Sequence, residues 1–369
     1  MPNNACWMIG SQVGASMTWR SVRTLCSLGA GLMLLACSGP RAGAEVPAPA
    51  APRADAPVGT EAAPPSKPVA ISANQSITSN LIIWLAQEAG LFASHGVNVD
   101  LQSINAMVAM KALVAGELQG ILVGGAEVLG ARASGAPLTI VAVLVPVYNQ
   151  VMMVPPSVGA VADLRGKTVG IITYPSVNGV GTLAAMRSFG MEAGRDYRVV
   201  ESGSAGVYQG LAAQLLAGNV DVALLPPDVA RGVAPEGFHE LFDQVALGTR
   251  GVSASLAFQD DFLQQQPATV QKIVDSLIDG VRYAREHRAE TQEVLRKDFR
   301  LTDPTELDLV YDRLVNQVFA REPYPVAEDF QDTVDALARD APEVRAVDLH
   351  RLIDRRFVDD AVQRGLTRY

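Results

Sequence analysis

Eight of the chain's 22 prolines crowd into residues 38–68 (Pro40, Pro47, Pro49, Pro52, Pro57, Pro64, Pro65 and Pro68), with alanines between them. Proline lacks a backbone N–H and fixes φ, so this stretch neither joins a sheet nor continues a helix. Extended at about 3.1 Å per residue, it reaches up to roughly 90 Å. It reads as a tether; a leader with no spacing role is equally compatible. Either way the fold is built from residue 68 onward. About 300 residues remain, too many for one comfortable core, so two lobes are expected.

Ahead of the tether, Arg20 and Arg23 precede an apolar run from Leu25 that closes on Leu34-Leu35-Ala36-Cys37. A basic n-region and a short apolar h-region are signal-peptide features, and the run is too short for a permanent span. A small residue before a cysteine resembles a bacterial lipobox, in which Cys37 takes the lipid, although Leu35 is larger than the residue usual there. Residues 1–36 are thus read as a lipoprotein signal peptide, with Met17 as a plausible start, and 37–67 as lipidated cysteine and tether. Ordinary secretion, with Cys37 left in a discarded leader, is the competing reading. Both send the chain out of the cytoplasm, to the periplasm or outer cell surface. Cys6 and Cys26 lie upstream, so from residue 38 onward no thiolate chemistry, cysteine zinc site or disulfide is possible. From residue 68 the chain holds 25 basic and 36 acidic residues, a net of −11. That balance argues against nucleic acid and against adsorption to anionic lipid, leaving the anchor as the membrane contact.

Short β-type runs alternate with helical segments, the pattern of an α/β fold built from βα units. Strands are predicted at Pro68–Ser72, around Val97–Leu101, and at Ile121–Val123, Leu138–Val145, Val151–Val154, Thr168–Ile172, Arg198–Glu201, Val222–Leu225 and Val252–Phe258. Helices are predicted over Asn80–Ala89, Ala106–Ala115, 179–189 and 206–217. Later, Val270, Ile273, Val274, Leu277, Ile278 and Val281 follow helical spacing. Asp303-Pro304-Thr305-Glu306 is a helix start, with Leu307, Val310, Leu314 and Val318 as its buried stripe. No internal repeat is visible.

The stretch from Trp84-Leu85-Ala86-Gln87-Glu88-Ala89-Gly90-Leu91-Phe92 through Gly96-Val97-Asn98-Val99 resembles the opening of ABC-transporter solute-binding proteins of the sulfonate, nitrate and thiamine-pyrimidine-precursor type. Ala112 to Glu117, Gly135-Ala136-Pro137-Leu138, Asp163-Leu164-Arg165-Gly166-Lys167-Thr168, Asp260-Asp261-Phe262-Leu263 with Pro267, and Phe357-Val358-Asp359 are similar to later landmarks, in order. The resemblance implies a two-lobed periplasmic-binding-protein type II clamshell with a helical C-terminal region. Lobe one would comprise 68–149 and 251–369, and lobe two 150–250. It implies a monomer that closes on a small-molecule solute and delivers it to a permease and its ATPase. A sensory receptor using the same clamshell to signal through a partner protein is the alternative.

Ligands of open α/β sheets sit beyond the carboxyl ends of the strands. Those loops offer Gln75, Ser76 and Thr78 leading to Trp84; then Asn105; then Gly125 within Gly124-Gly125-Ala126, which equally makes a tight turn. In lobe two they offer Thr173, Tyr174 and Asn178, then Ser204, then Asp228. Each has a plainer role, since Ser, Thr, Asn and Asp beside helix starts also serve as caps, and Trp84 as half-core. Arg250 and Lys111 are the nearest basic candidates, so an anion, a neutral heterocycle and a cation held by Asp228 all stay open.

Enzyme readings find little support. The four histidines (His95, His239, His287 and His350) are scattered without metal-ligand spacing, so no metal is expected. Gly179-Val180-Gly181 lacks the third glycine of a dinucleotide loop, and no nucleophile elbow appears. The resembled branch that makes thiamine pyrimidine uses iron and a cysteine-rich motif, and this chain has no such cysteines. No cofactor and no catalysis are expected.

Overall fold

The computed structural model describes residues 67–174, 176–203 and 208–369. The segment read as a signal peptide, Cys37 and nearly all of the segment read as a tether lie outside the described residues, as does Ser204. The strands are β1 Val69–Ala73, β2 Val99–Gln102, β3 Gly120–Val123, β4 Leu138–Val147, β5 Val151–Val154, β6 Thr168–Ile171, β7 Arg198–Glu201, β8 Val222–Leu225, β9 His239–Asp243 and β10 Arg250–Gln259. They form two five-stranded sheets, β2-β1-β3-β10-β4 and β7-β6-β8-β5-β9. In the first, β2, β1 and β3 are parallel and β10 runs antiparallel to both β3 and β4. In the second, β7, β6 and β8 are parallel and β5 runs antiparallel to β8 and β9. The two lobes therefore share one plan: three parallel βα strands, then an antiparallel strand arriving from the other lobe. The repeat is one of topology and leaves no mark in the residues.

Burial follows position. β3, β5, β6 and β8 are buried at every residue, as interior strands covered on both faces must be. β7, an edge, is mostly exposed. The helix Pro267–Glu286 buries Val270, Ile273, Val274, Leu277, Ile278 and Val281 against the helix Leu81–Glu88 and the first sheet. The helix Pro304–Arg313 starts as its residues dictate, with Asp303 accepting from the Glu306 N–H at 2.9 Å. At Arg313 it loosens into a π-helical turn, Leu314–Val318, which keeps Leu314, Val315 and Val318 in the core while Leu307 stays half-buried.

Two elements depart from the sequence reading. Gly124-Gly125-Ala126 is not a tight turn: Gly125 opens the helix Gly125–Ala133. A Cβ on Gly125 would lie 2.6 Å from Val252 Cβ and 2.7 Å from the Phe330 ring, so the glycine serves close packing rather than chain reversal. β9 has no clean alternation because it is an edge strand whose one buried residue is Phe242.

Candidate functional site

Two segments cross between the sheets side by side. The Tyr148 N–H donates to the Thr249 carbonyl at 3.1 Å, and the Gln244 N–H to the Gln150 carbonyl at 3.0 Å. Tyr148 is 2 % exposed. A Cβ on Gly251 would lie 2.2 Å from two of its ring atoms, and one on Gly181 2.8 Å from a third. The ring is thus gripped between the return strand and the helix Val177–Ser188, and the Thr333 hydroxyl hydrogen-bonds its phenol. Burial, above all, pushes that phenol's pKa upward. Gly251→Ala overfills this space and is expected to cost about 1–3 kcal/mol, seen as a lower urea midpoint at unchanged slope.

Behind the ring runs a buried amide chain. Asn178 Oδ1 accepts the Ile172 N–H at 2.8 Å, while its Nδ2 donates to Gln150 Oε1 at 3.0 Å and to the Leu224 carbonyl at 2.8 Å. Gln150 Nε2 in turn donates to the Tyr208 hydroxyl at 2.9 Å. Asn178, 1 % exposed, thus spends both its N–H donors and its carbonyl on the ends of β6 and β8 and on the crossing segment.

The same Tyr208 phenol feels the charges of Glu127 and Asp228, and burial is the main cause of its raised pKa. Glu127 sits in the first turn of the helix after β3, and Asp228 in the first turn of the helix Pro227–Val233 after β8. Burial raises the Glu127 carboxyl to about 7, against the pull of its own backbone N–H and that of Val177. Although Glu127 as a residue is half-buried, its Oε2 is sealed from solvent and has no hydrogen-bond partner among the described residues. The oxygen lies over Gly124, where a Cβ would meet it at 2.5 Å and Val177 Cγ2 at 2.2 Å. That bare backbone lets the end of β3 touch the start of the facing lobe's helix. Asp228 is likewise raised by burial, to about 6, with Glu306 adding to the effect.

A raised carboxylate stabilises the fold while protonated. Its contribution is full below the unfolded value near 4.5 and is lost as pH climbs through about 7 for Glu127. Asp228 acts with the same sign between 3.8 and about 6. Glu127→Gln is therefore expected to flatten the fall in urea midpoint between pH 5 and 8, and to leave the variant the more stable form at pH 8.

The remaining sequence candidates are placed as follows. The Gln75 N–H donates to Ser103 Oγ at 3.1 Å and the Ser76 N–H to Asn74 Oδ1 at 2.7 Å, in the loop after β1; Thr78 opens a 3₁₀ turn there. Trp84 is half-buried against the first core, its Nε1 buried without a partner among the described residues. Asn105 caps the helix Ala106–Val114 through Met107 N–H, beside the edge strand β2. Thr173 gives its carbonyl to Ser176 Oγ at 2.7 Å, and Tyr174 lies under the Arg339 guanidinium, 4.0 Å from the ring centroid. Arg250 is held bidentate by Asp329 at 2.6 and 2.5 Å, and Lys111 is exposed on its helix. Of the candidates, Asp228 acts together with Glu127 on the Tyr208 phenol, and Asn178 is linked to the same phenol through Gln150.

Two lobes on one plan, joined by paired crossing segments, with polar groups buried where the strand ends meet, define the periplasmic-binding-protein type II clamshell. The chain belongs to the NMT1/THI5-like family, whose model matches residues 78–291. A comparison with curated proteins finds no match. Among solved structures it is similar in fold to the periplasmic aliphatic sulphonate-binding protein SsuA of Escherichia coli (19% identity, 79% of this chain and 93% of that one, TM-score 0.63). The alkanesulfonate-binding SsuA of Xanthomonas axonopodis pv. citri, bound to MOPS, is also similar (18%, 79% and 100%, TM-score 0.60). So is the desulfurization enzyme DSZB (15%, 81% and 100%, TM-score 0.57).

Sequence reasoning passed over Glu127, Gln150, Tyr208 and Tyr148 as site residues. Glu127 had a legible signal: an acid three residues into a helix that opens right after a fully buried strand. Tyr148 and Gln150 had none, because their role comes from two chain crossings that only the fold brings together.

Proposed function

We propose that the chain is the solute-binding component of an ABC importer. It is exported, held to the membrane by lipid on Cys37, and swung on the 37–67 tether. Lobe one (68–149 and 251–369) and lobe two (150–250) close on a small molecule about the crossing segments and present it to a permease and its ATPase. It acts as a monomer without catalysis or cofactor. The observation that carries the reading is two carboxyls, Glu127 and Asp228, each raised by burial in the first turn of a helix that follows a strand, one from each sheet. The family and the sulfonate-binding relatives support it.

The test is a thermal-shift panel of sulfonates, nitrate, pyrimidines, flavins, amino acids and organic acids on the full chain in detergent. A solute at 100 times its dissociation constant is expected to add about 2.7 kcal/mol. Absence of any shift across the panel and across a cell extract would count against solute binding. Anchoring is tested separately by metabolic labelling with an alkyne fatty acid in a bacterial host, with Cys37→Ser expected to abolish the label.

A further inference from the structure

We propose that the site takes a solute bearing an N–H-donating cation, an organic ammonium or amidinium, seated on Glu127 Oε2 and Asp228, and that it turns away sulfonates and other anions. The inference rests on the solute-binding reading and names the ligand class. Its first support is Oε2 of Glu127, buried and, among the described residues, without a hydrogen-bond partner, held over Gly124 beside Val177. A sealed carboxylate oxygen without a donor is costly, and an N–H donor from a ligand removes that cost. A second acid, Asp228, opens the helix after β8 in the other sheet, and its charge and that of Glu127 both raise the Tyr208 phenol, so the two carboxyls bear on one region.

The second support is the fate of the arginines. Among the described residues neither Glu127 nor Asp228 has an ion-pair partner; Arg250 is paired with Asp329, Arg187 with Asp332, and Arg313 with Asp243. An anion entering here would find these three guanidiniums already engaged. The start of the helix Val177–Ser188, where helical N–H groups would welcome an anion, is already served. Ser176 Oγ takes the Gly179 N–H at 3.1 Å, and the Glu127 carboxyl lies at Val177.

The experiment is calorimetry on the full chain in detergent at pH 8, with three probes that share one ring: benzamidinium, benzamide and benzenesulfonate. The butyl series n-butylammonium, butanamide and butanesulfonate repeats the comparison. Cationic probes are expected to bind at least ten-fold more tightly than the sulfonates. Glu127→Gln, near-isosteric, is expected to weaken them about ten-fold or more without weakening the sulfonates, and Asp228→Asn to act in the same direction. Melting curves of both variants confirm that they fold. Sulfonate binding tighter than cation binding, or cation affinity indifferent to Glu127→Gln, would overturn the assignment while leaving solute binding intact. Binding of the amides alone would do the same. Silence from all three classes, together with silence in the wider solute panel, would overturn both.

Discussion

Asn178→Ala is expected to lower the unfolding free energy by about 3–5 kcal/mol, because it strands several buried groups at once. The Ile172 N–H, the Leu224 carbonyl and Gln150 Oε1 each lose their partner, and with Gln150 freed the Tyr208 hydroxyl loses its fixed donor. Urea unfolding at fixed pH measures the loss. The asymmetry between making a hydrogen bond and leaving its partner stranded decides the size, since Asn178 is 1 % exposed and water has no ready access to the vacancy. A loss below about 1 kcal/mol would mean that the amide is spare, and would return Asn178 to the ligand.

Tyr148→Ala is expected to cost a similar amount, about 3–5 kcal/mol, for a different reason. Its ring fills the gap that two glycines leave open on opposite sides, and nothing on Gly181 or Gly251 can extend into the void. Tyr148→Phe keeps the ring and loses only the Thr333 hydrogen bond, so about 1 kcal/mol is expected. The ratio of the two losses, read from urea midpoints, separates packing from polar pairing. The aromatic-to-alanine variant is also expected to loosen the crossing, seen as faster hydrogen exchange at the Tyr148 and Gln244 amides, which now bond across it.

The strands and the large helices were legible because their residues carry the right period. Val151–Val154, Arg198–Glu201 and Val222–Leu225 lie where alternation and β-branching put them. Asp303-Pro304 starts its helix through the cap that the residue types require. The helix at Gly125 was not legible, because glycine is a poor helix former and only Val252 and Phe330 explain why it stands there. The candidate site was legible only in its outline. Strand-end loops and Asp228 follow from βα order, whereas Tyr148 and Gln150 gain their meaning from partners 28 to 185 positions away in the chain, such as Asn178, Tyr208 and Thr333. Asn178 pointed toward a ligand by its place after a buried strand; the fold turned it inward.

The placement of β10 between β3 and β4 also dictates an order of events at birth. When β4 leaves the ribosome its neighbour does not yet exist, since everything from Tyr148 to Thr249 must be made first. At about 5–20 residues per second that is a wait of roughly 5–20 s. During it, β4, apolar along nearly all of its ten residues, waits as an unpaired edge. The intervening segment, contiguous in the chain, can complete its own sheet in that time. A chain of this topology is therefore expected to depend on a holding factor that keeps β4 extended until synthesis has passed Gln259, and to aggregate through β4 when that factor is removed.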